Sequence, residues 1–349
     1  MTGSDPFLGD RVAGAAPPEG CSLRGNRVAQ AAPPVHWMDG PANRWWFQCV
    51  DEILATVPVP RGDGPPLALG HAPVELDLDE WLEQRFTDGI LVLRGRDVVA
   101  EHYRNGMGPP TRHLLMSVSK SLCGALVGRL VGEGRLDPEC LVSRYVPELA
   151  SSAYGDATLR QVLDMTVAVE FAERYCSAGT DVLGWVVERV TGRNYAVALS
   201  EGLWARLGAE RDAFVSVDPA GFAAANGGVC ASLRDLARFG RLVLDGGRNA
   251  SGEQVVPEAW LADLRRGGDR AMPAALGAPH PSGGYRSQWW LTGDDHGSFY
   301  AAGIYGQYLW LDPTADVAIA KLSSLPRPDD PTAWKEHVTR FREICEGLG

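Results

Sequence analysis

The stretch Leu114-Leu115-Met116-Ser117-Val118-Ser119-Lys120-Ser121-Leu122 decides how the rest of the chain is read. Val118, Leu122, Ala125, Leu126 and Leu130 recur at helical spacing, and Gly124 and Gly128 let neighbours approach closely. The pattern predicts a buried helix beginning near Ser117. Ser117 and Lys120 are three residues apart, so both project from one face of its first turn. A serine hydroxyl is a poor nucleophile until a base removes its proton. A lysine buried at a helix N-terminus loses proton affinity through desolvation and the positive end of the helix dipole, and can act as that base near neutral pH. First-turn N–H groups would also point toward an oxyanion formed there. Ser-x-x-Lys fixes only two common residues, and the apolar stripe behind it suits plain core packing equally well, so the pattern depends on its company.

Moving outward, Ile90-Leu91-Val92-Leu93 and Val98-Val99-Ala100-Glu101-His102-Tyr103 read as two strands around the turn Arg94-Gly95-Arg96-Asp97. Gln288–Leu291, Tyr308–Leu311 and Val317–Ala320 are three more strand candidates, and Thr332–Glu346 reads as a helix. Helical periods over Val182–Gly192 and Leu233–Leu242 occupy the middle. Strands at both ends with helices between them predict an α+β fold with an antiparallel sheet built from distant segments. The expected division is a loosely ordered lead-in over 1–41 and one domain over 42–349. Within that domain, an α/β part comprises about 42–135 and 280–349, and a mostly helical part about 136–279. Length alone, 349 residues, suggests two units; the interleaving reduces them to one structure.

Composition narrows the partners. A net charge of −11 leaves no electrostatic footprint for nucleic acid, and no run is long and apolar enough for a membrane span. The N-terminal residues show no secretory pattern, and seven scattered cysteines include no CxxC pair, so a reduced cytoplasm is the expected location. No metal-ligand spacing occurs, so zinc is disfavoured, although the 7 His residues leave convergence in space open.

The company of the Ser-x-x-Lys stretch is ordered. It includes HLLMSVSKSLCG (113–124), VLDM (162–165), YCSAGTDVLGWVVERVTG (175–192), ANGGV (225–229), DLARFGRLVLDGG (235–247), QWW (288–290), GQYLWLDP (306–313) and KLSS (321–324). With these, the chain from about residue 42 onward resembles the serine β-lactamase and penicillin-binding protein superfamily, and within it the 6-aminohexanoate-dimer (nylon oligomer) hydrolases and related esterases. The resemblance implies that Ser117 is the acyl-forming nucleophile, Lys120 its base, and Tyr175 the proton shuttle to the leaving group, with no metal or organic cofactor. It places Ser177 in the third position of a Tyr-x-Ser motif, and Asn226 as a substrate-facing asparagine. Gly303 and Ile304 fall on the third motif's strand, so the backbone N–H groups of Ser117 and Ile304 are expected to form the oxyanion hole. Tyr305 stands where close family members usually carry His, beside the substrate.

One departure concerns length. Only nine residues, 166–174, separate Met165 from Tyr175, where the family carries a longer segment with a substrate-covering tyrosine. A closing loop excludes water and holds the scissile bond for attack, which matters most for unactivated amides. The expectation is therefore a serine hydrolase acting on small esters or linear amides, with esters favoured. A catalytically silent ligand-binding or interaction module is the alternative. A small-molecule ester or amide is the expected partner, and a homodimer is left open.

Overall fold

The run Ile90-Leu91-Val92-Leu93 is buried throughout, and its residues alternate between two different cores. Apolar runs of this kind belong to strands covered on both faces. In the computed structural model, which describes residues 36–167, 175–268, 270, 271, 273, 278–280 and 282–349, the run is central to the main sheet. Among the described residues the strands are β1 (Thr56–Val59), β2 (Gly70–His71), β3 (Thr87–Arg94), β4 (Asp97–Tyr103), β5 (Arg112–Leu114), β6 (Ala213–Ser216), β7 (Val229–Ser232), β8 (Gly284–Arg286), β9 (Trp289–Leu291), β10 (Phe299–Gly303), β11 (Gln307–Asp312) and β12 (Val317–Ser323).

Eight of them form one sheet in the order β2-β4-β3-β12-β11-β10-β9-β8. The two chain ends meet where β3 pairs antiparallel with β12, Val92 opposite Ile319. On one face Ile90, Val92 and Trp310 pack with Val338, Phe341 and Ile344 of the C-terminal helix Pro331–Leu348. On the other, Leu91, Leu93, Leu309 and Leu311 pack with Leu122 and Leu126 of the helix Ser119–Gly132 and with Leu236 and Phe239 of the helix Leu233–Leu244. The expected α+β fold, with its sheet drawn from both ends, is what forms.

A second sheet, in the order β1-β6-β7-β5, draws two short strands, β6 and β7, from the stretch 136–279, whose other described elements are helices. Both strands are four residues long and buried at every position, so they offer no alternation to read from sequence. This small sheet sets the entry to Ser117. Leu114 of β5 pairs opposite Cys230 of β7, and the Leu115 N–H donates to Val229 O at 2.9 Å. The lead-in expected over 1–41 lies mostly outside the described residues; at its end, the Trp37 ring meets Phe47 edge-on, 6.1 Å between centroids.

Candidate active site

Ser117 sits in a 3-10 turn, Met116–Val118, that leads into the helix Ser119–Gly132. Met116 enters the turn with φ of +47°, a left-handed conformation that a non-glycine residue adopts only under constraint. Lys120, one turn later, is 1% exposed. Its Nζ donates to Ser117 Oγ at 2.7 Å and to the Asn226 carbonyl at 2.9 Å. Loss of water pulls the Lys120 amine down to about 7, against smaller upward pulls from Asp181, Cys176 and Cys123. Near neutral pH a large share of the amine is therefore unprotonated and able to take the serine proton.

Tyr175 approaches from the loop before the helix Ala178–Thr191, with φ of +39°. Its hydroxyl lies near those of Ser117 and Tyr285, and burial pushes it up to about 12, so it stays a neutral O–H donor. The ring stacks on Trp290 at 5.6 Å and meets Tyr285 edge-on at 5.9 Å, while Lys120 Nζ lies 5.4 Å from its centre. Three aromatic contacts thus hold a strained backbone in place.

The strand β10 presses against the Ser117 turn at Gly303. A Cβ added there would stand 2.9 Å from Leu115 O and 3.0 Å from the Ser117 nitrogen, so glycine is required for the approach. The next residues turn sharply, with φ of +63° at Tyr305 and +88° at Gly306. A cavity of about 340 Å³ opens in front of Ser117, walled by Tyr175, Trp290, Tyr308 and Trp334 and edged by Ile304. Asp329 and Asp330 stand at its rim, and among the described residues no Lys, Arg or His lines it. Among the described residues, no group of three or more His, Cys, Asp or Glu side chains converges as a metal site.

The structure brings Ser117, Lys120 and Tyr175 together and sets Gly303 and Ile304 beside them. It places three other expected site residues differently. The Asn226 side chain turns away from the cavity to donate to Asp181, so its backbone carbonyl, not its amide, faces Lys120. Ser177 is exposed at the N-terminus of the helix Ala178–Thr191, makes no side-chain cap, and is not among the cavity-lining residues. The Tyr305 ring is buried against Phe47, 5.1 Å between centroids, because its left-handed backbone points the side chain into the core beneath the turn. Sequence reading missed Trp290, Trp334, Tyr308 and Asp181. The three aromatics belong to strand and helix patterns that read as core, while a carboxylate in the first turn after the Tyr-x-Ser motif was a readable signal for Asp181.

A family profile described as Beta-lactamase matches residues 78–339. A 6-aminohexanoate-dimer hydrolase from Paenarthrobacter ureafaciens is 44% identical over 346 aligned positions, covering 84% of this chain and 88% of the relative. A solved Bacillus anthracis structure, provisionally named a 6-aminohexanoate-dimer hydrolase, superposes with a TM-score of 0.83 at 24% identity, over 93% of this chain and 99% of its own. A class C beta-lactamase from Rhodobacter sphaeroides shares the fold at a TM-score of 0.60 and 16% identity, over 76% and 98% of the two chains. The chain therefore belongs to the beta-lactamase family of serine hydrolases, with a 6-aminohexanoate-dimer hydrolase among its relatives.

Proposed function

We propose that this chain hydrolyses small esters, and linear amides more slowly, through an acyl-enzyme on Ser117. The observation that carries the reading is the 2.7 Å contact between Ser117 Oγ and a desolvated Lys120. Neutral Lys120 takes the Ser117 proton as Oγ attacks the substrate carbonyl, and the oxyanion is received by the backbone N–H groups of Ser117 and Ile304. Tyr175, held neutral beside Ser117, gives its proton to the leaving group and is reprotonated from Lys120. Water then attacks the acyl-enzyme by the same route in reverse. Neither a metal nor an organic cofactor enters this scheme.

Two features support an ester preference. The segment 166–174 is short, although 168–174 lies outside the described residues, and the 346 aligned positions exceed the 84% of this chain that enters them, so the chain is the shorter partner in that alignment. Among the described residues the cavity wall is largely apolar and carries no basic side chain to hold a substrate carboxylate, which argues against β-lactam and peptide-terminus substrates. A cytoplasmic setting goes with this reading; no helix among the described residues is long and apolar enough to cross a membrane. Nucleic acid has no place in it, and a homodimer is compatible with it.

A fluorophosphonate probe followed by peptide mapping tests the scheme. Ser117 is the expected site of modification, and an unlabelled wild-type protein would point instead to the silent ligand-binding alternative. Comparing a short-chain p-nitrophenyl ester with the linear 6-aminohexanoate dimer tests the preference, and equal kcat/KM on the two would overturn it.

A further inference from the structure

Lys120 has a neighbour that the reaction scheme leaves unused. Asp181 stands in the first turn of the helix Ala178–Thr191, where the helix dipole favours a carboxylate. Its Oδ1 accepts the Asn226 backbone N–H at 3.1 Å, and its Oδ2 accepts the Asn226 side-chain amide. With both donors of Asn226 captured on one side, its carbonyl is left facing Lys120 Nζ at 2.9 Å, and the same nitrogen reaches Ser117 Oγ at 2.7 Å. The chain Asp181–Asn226–Lys120–Ser117 runs through groups that are each part-buried or buried.

We propose that Asp181 is a positioning residue for the hydrolysis: its carboxylate locks the Asn226 peptide, whose carbonyl aims Lys120 at Ser117, and its charge balances the buried ammonium. The proposal rests on the reading of Lys120 as the base. An amine bonded only to a hydroxyl would be free to rotate away, whereas a fixed carbonyl acceptor on the opposite side restricts it to the productive direction.

The electrostatic side follows from the groups that face Lys120. These are Asp181 from the helix Ala178–Thr191, Cys176 from the loop before it, Cys123 from the nucleophile's own helix, and the ring of Tyr175. Burial pushes the Cys123 thiol up to about 12, so it carries no charge near neutral pH. Asp181 is the carboxylate of the set and the largest upward influence on Lys120. Its own carboxyl is raised by burial, opposed by the bonds from Asn226 and by Lys120.

The test is the pH dependence of fluorophosphonate labelling of Ser117. In Asp181→Asn the charge is lost and the amide cannot accept both Asn226 donors. The acid limb should move about one pH unit or more toward acid, because Lys120 sheds its proton more readily without a carboxylate nearby. The plateau rate should fall about 10- to 100-fold as the aim is lost. Asp181→Glu keeps the charge and should bring the limb back while leaving the plateau reduced. Loss of a merely structural contact would lower the plateau without moving the limb. Should Asp181→Asn fail to fold, Asn226→Ala removes one donor and keeps the carbonyl; a lowered plateau with an unmoved limb is expected, and a wild-type plateau overturns the lock. A folded Asp181→Asn with a wild-type limb and plateau overturns the proposal. Lys120→Ala separates the two levels: if it labels at the wild-type rate, the base reading itself fails, whereas an inert Lys120→Ala beside a wild-type Asp181→Asn defeats only the role of Asp181.

Discussion

In the proposed reaction, a lysine stripped of water is the residue on which the chemistry turns. Because burial holds the Lys120 amine near 7, acylation should rise with pH through an apparent pKa of about 7 as the base becomes neutral. The Tyr175 hydroxyl, pushed up to about 12, should cause no alkaline loss below about pH 10. Stopped-flow labelling across pH 5 to 10 checks both limbs, and a flat profile across neutrality would sink the assignment. Replacing Lys120 with Ala should slow labelling by about 10²–10⁴-fold, the usual worth of a positioned proton acceptor. Tyr175→Phe keeps the stacked ring on Trp290 while removing the proton donor. It should therefore lower kcat on esters with poor leaving groups far more than on p-nitrophenyl esters, which need little help to leave; equal losses on both would argue against a leaving-group role.

At the scale of elements, the site depends on one close crossing and one pinned turn. Gly303→Ala would drive a Cβ to 3.0 Å from the Ser117 nitrogen, and β10 must shift from the nucleophile turn to relieve it. Labelling of Ser117 should drop at least as much as stability falls, measured by rate and by urea denaturation on the same sample. The turn Ile304–Gly306 is pinned from behind by Gln307, which is fully buried. Its Nε2 donates to Tyr305 O at 3.2 Å and Ser323 O at 2.6 Å, and its Oε1 accepts the Ser323 N–H at 3.0 Å. Gln307→Leu leaves those groups unpaired in the interior, a cost of about 1–3 kcal/mol in urea melts. It should also slow acylation, because the Ile304 N–H loses its fixed direction. The left-handed residues Met116 and Tyr175 flank Ser117, and Tyr305 follows Gly303 by two residues, so local backbone strain collects where the strand, the turn and the motif loop meet.

Across the whole molecule, a second lysine shows how far burial is carried. Lys321 on β12 is fully buried, donates to Ser323 Oγ, and lies 5.3 Å from the centre of the Trp81 ring. Desolvation lowers its amine to about 7, helped by Arg85 and opposed by Asp88. A folded-state value below the ordinary lysine value means the unfolded chain binds the extra proton between about pH 7 and 10. The cost of burying Lys321 is therefore full below pH 7 and fades as pH rises. The stability of the wild type relative to Lys321→Met should improve as pH rises from 7 to 9.5, and taking this difference cancels the opposing titration of the buried cysteines and tyrosines. A pH-independent difference would show that Lys321 keeps its proton in the folded state.

The ordered motifs already held the family, the Ser117–Lys120 pair and the sheet shared by both chain ends. Each is a matter of local spacing: three residues bring two side chains to one face of a turn, and apolar runs such as Ile90–Leu93 demand cover on both sides. The second sheet was illegible because β6 and β7 are short and buried throughout, with no alternation to betray them. Folding also decided which atom of Asn226 serves Lys120, and sent the Tyr305 ring into the core rather than toward the substrate. It also drew Trp290 and Trp334, 44 positions apart in the numbering, into one cavity wall. Side-chain type and spacing are local properties that sequence carries. Which way an amide turns, and which ring faces a cavity rather than a core, depends on partners from distant segments, and only the packed chain supplies them.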